Sequence, residues 1–174
     1  MQKSLVVFES KYGSTRQYAE WIGEALGADV KRASEVRPES LAAYDAVVFG
    51  GYLYVGKIVG AEFVTRNWPA LEKKKVVVFS SSGSPPGDPA LTAAFEAAFS
   101  PAIRARVKYF PLPGRRGRLD LKDSLLMLFP RAMLYLAWLS KRDEKSRKEF
   151  DGMSRQFDRV DKAAIAPLVR EIKG

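Results

Sequence analysis

The strand–turn–helix pattern at the N-terminus constrains the fold of this chain most strongly. Residues 4–8 form an apolar run typical of a buried strand, and a turn containing Gly13 leads into a helical pattern. The first N–H groups of a helix lack helical partners, and the positive end of the helix dipole lies there. With hydroxyl side chains added, this turn predicts a phosphate-monoester site. The alternative is that Ser14 or Thr15 is merely the N-cap of an ordinary strand–helix junction.

Apolar runs and helical patterns then alternate along the chain. This alternation predicts an α/β fold with one parallel sheet covered by helices on both faces. At 174 residues we expect one domain, 1–174. Val107 and Tyr109 are predicted to face the core. The predicted strands are 4–8, 29–33, 44–51, 76–79 and 106–110, and the predicted helices after residue 26 are 60–71, 89–99, 119–139 and 160–172.

Three loops leave the carboxyl ends of predicted strands, at 10–15, 51–57 and 80–88. Ligands of parallel sheets bind at that edge, so we expect the loops to converge on one ligand. Tyr52 and Tyr54 can stack on a flat ring, although they can instead pack on the neighbouring helix. Small hydroxyl residues and glycine after residue 79 predict a close polar wall, with a plain flexible turn as the alternative.

The residue types that are missing exclude several chemistries. The chain has no His and no Cys. Imidazole catalysis, thiolate nucleophiles, disulfides, iron–sulfur ligation and nearly every zinc or haem site are therefore excluded. If the chain performs redox chemistry, a bound organic cofactor has to carry the electrons.

The formal net charge is +9, which favours anionic partners. We do not expect nucleic acid among them, because no recognition helix or RNA motif is present and the aromatic residues are not interleaved with the basic clusters. The N-terminus enters the first strand without a signal-peptide pattern, so the expected location is cytoplasmic.

The turn Ser10-Lys11-Tyr12-Gly13-Ser14-Thr15 resembles the phosphate loop of the flavodoxin family, with Tyr12 where a small hydroxyl residue is usual. The resemblance implies FMN as the cofactor and a flavodoxin-like, doubly wound five-stranded parallel sheet of order 2-1-3-4-5. It also implies a helical insertion before the last helix. The implied cofactor-binding residues are Ser10, Lys11, Tyr12, Gly13, Ser14, Thr15, Gly51, Tyr52, Leu53, Tyr54, Val55, Gly56, Ser80, Ser81, Ser82 and Gly83.

A more specific resemblance is to the menaquinone-coupled, oxygen-independent protoporphyrinogen dehydrogenases. It rests on the same turn, on the Tyr-Asp-x-Val-Val-x-Gly strand at 44–50 and on an insertion at about 114–158. It implies an FMN-dependent dehydrogenase of heme biosynthesis that oxidises protoporphyrinogen IX or a related porphyrinogen and reduces a quinone. Arg115, Arg116 and Arg118 would bind the substrate propionates, or else form a basic turn that is solvated or rests on anionic lipid.

Two further questions stay open at this stage. The alternative function is a flavodoxin-type electron carrier or a quinone reductase without porphyrinogen activity. A basic surrounding stabilises a reduced, anionic flavin, which favours the dehydrogenase over a low-potential carrier. The apolar helix at 119–139 is too short and too interrupted, by Arg131 beside Pro130, to span a membrane. It is predicted to be a core helix, a homodimer contact or a helix lying on the inner membrane face, where Tyr135 and Trp138 would suit the interface.

Overall fold

The computed structural model of the chain describes residues 3–116, 128–141 and 156–174. The chain divides into two compact units. One unit comprises Met1–Arg115 and Arg159–Gly174, and the other comprises Arg116–Asp158. The second unit falls within the predicted insertion at 114–158, and the first contains the parallel sheet.

The sheet has strands β1 (Ser4–Phe8), β2 (Asp29–Arg32), β3 (Ala46–Tyr54), β4 (Lys57–Val59), β5 (Lys75–Ser82) and β6 (Val107–Pro113). Its main path runs β2-β1-β3-β5-β6, and all neighbours on this path are parallel. Strand β4 folds back antiparallel on β3. Apart from this hairpin strand, the order is the predicted 2-1-3-4-5, which confirms the doubly wound α/β fold.

The helices are α1 (Ser14–Leu26), α2 (Glu62–Arg66), α3 (Trp68–Leu71), α4 (Pro89–Ala98), α5 (Pro101–Arg104), α6 (Leu128–Lys141) and α7 (Ala166–Lys173). The predicted helix at 60–71 was wrong as a single element. Pro69 lies in the first turn of α3 and has no N–H to continue the hydrogen bonds of α2. The predicted last helix at 160–172 begins later, at Ala166, after a 3₁₀ turn at Lys162–Ile165.

The inserted segment is described only in part. Residues 117–127, where the predicted helix at 119–139 would begin, lie outside the described residues, and α6 covers its second half. The short strands β7 (Arg115–Arg116) and β8 (Phe157–Asp158) pair with each other. Within the described residues, no helix is both long and apolar enough to cross a membrane.

Both faces of the main sheet are covered, because successive strand residues point to opposite sides. On one face, residues such as Val48 pack with α1 and α7. On the other face, residues such as Val47 pack with α2, α4 and α5. Val107 belongs to this second core and Tyr109 packs against it, as predicted.

Two of the predicted loops were partly wrong, since strand pairing continues into them. Strand β3 runs past its paired glycines to Tyr54, because β4 pairs with residues 52–54. Strand β5 continues through Ser82, because β6 extends beyond the predicted end at 110 and pairs with it as far as Pro113. The prolines of β6 are tolerated because β6 is an edge strand.

The hydroxyl of Tyr18 joins three parts of the first unit. Its side chain is fully buried on α1. The O–H donates to the carbonyl oxygen of Pro113 at 2.7 Å and accepts from the backbone N–H of Asp161 at 3.0 Å. It thereby links α1 to the end of β6 and to the segment that re-enters the unit after the insertion.

We expect Tyr18→Phe to destabilise the apo-protein by about 2–3 kcal/mol, because two buried backbone groups lose their partner. For a domain of this size that corresponds to a fall in Tm of roughly 5–10 °C, measurable by circular dichroism. Tyr44→Phe is the matched control. Its hydroxyl donates to the exposed carboxylate of Asp29, which water can solvate after the change. Equal losses in the two variants would contradict the linking function of Tyr18.

Candidate functional site

The three predicted site segments meet at one edge of the sheet. Thr15 Oγ1 donates to the carbonyl oxygen of Gly51 at 3.3 Å and lies 2.8 Å from Ser81 Oγ. Ser14 Oγ lies 3.1 Å from the same Ser81 hydroxyl. The turn after β1 and the carboxyl-terminal ends of β3 and β5 are therefore in direct contact, as the sequence predicted.

The N-terminus of α1 is available to an anion. No side chain caps it, and no acidic residue lies in its first turn. Its N-cap residue, Gly13, has a φ of +86°, a conformation that glycine adopts without strain. The positive end of the helix dipole is therefore not neutralised locally.

A second observation points to a ligand at this turn. Among the described residues, Ser10 Oγ is one of two buried side-chain polar atoms without a hydrogen-bond partner. Burying a hydroxyl without a partner costs roughly 1–3 kcal/mol. A phosphate bound at the turn would supply that partner, so the residues present fit a phosphate monoester.

The hydroxyls of Ser14 and Thr15 are used differently from the plain N-cap alternative. Both residues are buried, at 5% and 0% exposure, and their oxygens contact Gly51 and Ser81. They hold the turn against β3 and β5 in the described structure. Their direct contact with a phosphate stays a prediction, whereas Ser10 and the first N–H groups of α1 are the donors that this arrangement offers.

Aromatic side chains lie beside this turn. Tyr52 and Tyr54 point to the same side of β3, with ring centroids 6.4 Å apart and ring planes at 68°. The two-residue turn Val55–Gly56, in which both φ angles are positive, joins β3 to β4 and keeps the tyrosines at the tip of a hairpin. The Nζ of Lys11 lies 5.1 Å from the ring centroid of Tyr54 and 5.4 Å from that of Tyr12.

The electrostatics of this hairpin involve a residue that the sequence analysis did not single out. Burial raises the pKa of Tyr52, Lys11 opposes that rise, and the nearby Glu9 and Tyr54 add to it. Glu9 follows β1 directly, and its backbone N–H donates to the carbonyl oxygen of Gly50 at 2.9 Å. Its position at a strand end, next to Ser10, is the signal that could have identified it.

Gly114 is a second residue whose importance the sequence did not reveal. Its N–H donates to the carbonyl oxygen of Ser82 at 2.6 Å, and a Cβ at this position would lie 2.8 Å from that oxygen. Only a residue without a side chain allows this approach. Gly83, beyond the end of β5, accepts a hydrogen bond from Arg159 Nη1 at 3.5 Å.

The predicted substrate-binding arginines are only partly described. Arg115 and Arg116 form β7 rather than the predicted turn, and they pair with β8. Arg118 lies outside the described residues. Their contact with substrate carboxylates therefore stays a prediction.

Comparison with known structures gives several flavodoxins and flavoproteins. An archaeal flavodoxin is 19% identical with a TM-score of 0.49, and the match covers 68% of this chain and 86% of that one. Flavodoxin 2 of Bacillus cereus is 22% identical with a TM-score of 0.46, covering 64% and 84%. A Lactobacillus acidophilus flavoprotein solved in complex with FMN is 12% identical with a TM-score of 0.49, covering 65% and 93%. These distant similarities concern the fold alone.

Sequence comparison is more specific. The uncharacterized protein MJ0298 of Methanocaldococcus jannaschii is 30% identical over 84 residues, which are 48% of this chain and 56% of that protein. The chain thus spans little more than half of that relative's length. The family model for the flavodoxin domain matches residues 5–147, most of the chain, including the turn after β1 and the ends of β3 and β5. The chain therefore belongs to the flavodoxin-domain family.

Proposed function

We propose that this chain is an FMN-dependent oxidoreductase that takes electrons from a reduced organic substrate and passes them to a quinone. The observation that carries the proposal is the meeting of an uncapped helix N-terminus and the partnerless Ser10 hydroxyl with the tyrosine hairpin. An anion site and stacking surfaces at one sheet edge match the two ends of FMN, a phosphate and a flat ring.

Each part of the site would serve a different part of the cofactor. The first N–H groups of α1 and the Ser10 hydroxyl would bind the phosphate. Tyr52 and Tyr54 would pack against the ring, and the hydroxyl-rich end of β5 would line the polar chain between them. Bound FMN supplies the hydride or electron transfer, while the protein binds, orients and electrostatically surrounds it.

We propose protoporphyrinogen IX, or a related porphyrinogen, as the substrate. The support is the sequence resemblance, the net charge of +9 and the basic residues around β7, since guanidinium groups match the geometry of carboxylates. The second candidate is a flavodoxin-type electron carrier or quinone reductase, which membership of the flavodoxin-domain family accommodates equally well.

Anaerobic reduction of the FMN-loaded protein tests this proposal. We expect protoporphyrinogen to bleach the flavin absorbance and menaquinone to restore it. Bleaching only by a reductase or by reduced nicotinamide would favour the carrier or quinone reductase. A protein that does not bind added FMN would contradict both candidates.

We further propose that α6 lies on an anionic membrane surface. Its large apolar side chains are 44–73% exposed and share one broad helical face, comprising Leu128, Phe129, Met133, Tyr135, Leu136 and Leu139. The sequence directly after them is basic, with Lys141, Arg142, Lys145, Arg147 and Lys148. Apolar side chains followed by cations suit the boundary between acyl chains and anionic headgroups.

Vesicle co-sedimentation tests the membrane contact. We expect the protein to bind vesicles containing phosphatidylglycerol, to bind pure phosphatidylcholine weakly, and to dissociate as salt is raised. The double variant Phe129→Ser/Leu136→Ser should reduce binding by about tenfold or more, because it removes two apolar side chains from the buried face. Val55→Ser, which alters an apolar side chain 68% exposed in the other unit, is the matched control. Sedimentation as a dimer that ignores vesicles would instead identify this face as a contact between copies of the chain.

A further inference from the structure

The side chain of Lys11 connects the two halves of the candidate site. Lys11 belongs to the turn after β1, and its ammonium lies 5.4 Å from the ring centroid of Tyr12 and 5.1 Å from that of Tyr54, at the tip of the β3–β4 hairpin. Both distances are within the range of a cation–π contact. The ammonium is therefore held beside the tyrosine rings by two aromatic faces from separate segments.

The charges around these rings are of both signs. Glu9 and Lys11 both act on Tyr52, and Glu9 acts in the opposite direction from Lys11. Arg16, also near the N-terminus of α1, is already paired, because its Nε lies 2.8 Å from Glu20 Oε1. Lys11 is thus the cation that the described geometry brings against the tyrosine hairpin.

We propose that Lys11 sets the redox preference of the site by stabilising the anionic, reduced form of the flavin over the neutral, oxidised form. This inference rests on the proposed binding of FMN. A ring that packs against Tyr54 lies within several ångströms of the ammonium. A fixed positive charge at that distance stabilises an anion and leaves the binding of a neutral ring nearly unchanged.

The test compares the binding of oxidised and reduced FMN to the full chain under anaerobic conditions. We expect Lys11→Gln to raise the ratio of the dissociation constants, reduced over oxidised, by about three- to tenfold, as one partly solvated charge at this range would. A tenfold change corresponds to a fall of about 30 mV in a two-electron midpoint potential, which potentiometric titration measures independently. Lys11→Arg should retain the wild-type ratio.

The controls separate this inference from two others. Arg16→Gln removes an exposed cation from the same helix end, so an equal shift in that variant would show that only overall charge matters. Binding of riboflavin, which lacks the phosphate, provides the second control. If Lys11→Gln weakens oxidised FMN but not riboflavin, Lys11 serves the phosphate and the inference is overturned. If wild type binds neither FMN nor riboflavin, the proposed function itself fails.

Discussion

Replacing Gly13 by Asp should lower the affinity for FMN by about 100-fold or more, whereas Gly13→Asn should lower it by less than about tenfold. Asn and Asp tolerate the left-handed conformation better than other residues with a side chain. A Cβ at Gly13 would meet no atom within 4 Å, so both variants should fold. They differ by one negative charge beside a phosphate dianion, which at roughly 6 Å and an effective dielectric constant of about 40 amounts to about 3 kcal/mol.

Quenching of FMN fluorescence measures these affinities, and riboflavin provides the control because it has no phosphate. The Asp and Asn variants should bind riboflavin equally. In the apo-protein the Asp variant should be slightly the more stable, by about 0.3–1 kcal/mol, since a carboxylate at a helix N-terminus interacts favourably with the dipole. Equal FMN affinities for the two variants would show that the phosphate does not bind at α1.

Replacing Gly50 by Ala should destabilise the protein by about 3 kcal/mol or more. A Cβ at Gly50 would overlap the ring carbons of Phe79, on the neighbouring strand β5. Phe79 is fully buried, and its ring packs edge-on against that of Tyr18 at a centroid distance of 6.3 Å. The ring therefore has little room to move, and overpacking of a closed core is costly.

A double-mutant cycle with Phe79→Leu tests this explanation by urea denaturation. Leucine removes the ring atoms that the new methyl group would strike, so Gly50→Ala should cost clearly less in the Phe79→Leu background. Costs that add without coupling would place the Phe79 ring elsewhere. A loss below about 1 kcal/mol for Gly50→Ala alone would contradict the packing described here.

The paired glycines show what a sequence pattern can and cannot predict. Gly50 and Gly51 ended a predicted strand, and Gly51 was predicted to leave the backbone open to a cofactor. In the structure, Gly50 accommodates the Phe79 ring, and a Cβ at Gly51 would lie 2.6 Å from the carbonyl oxygen of Val59 in β4. Both approaches involve residues distant in sequence or in a hairpin that the pattern did not predict, so local composition could not reveal them.

The hydroxyl residues of the site illustrate the same limit. Their clustering at 80–84 suggested a loop, yet residues as far as Ser82 are paired strand residues because β6 continues beside them. Ser14, Thr15 and Ser81 were each predicted to bind the cofactor, and the structure shows that they contact one another or Gly51. Which hydroxyl is left without a partner, here Ser10, depends on those contacts.

Alternating apolar runs and helical periodicity were enough to predict the parallel sheet, its strand order and the meeting of three segments at one edge. These features depend on local burial patterns and on the general rule that parallel strands end on the same side. The length of the strands, the β4 hairpin, the bracing of Ser14 and Thr15, and the placement of Lys11 between two tyrosines emerged from the folded chain alone. They arise from contacts between residues far apart in sequence, and no local pattern encodes such contacts.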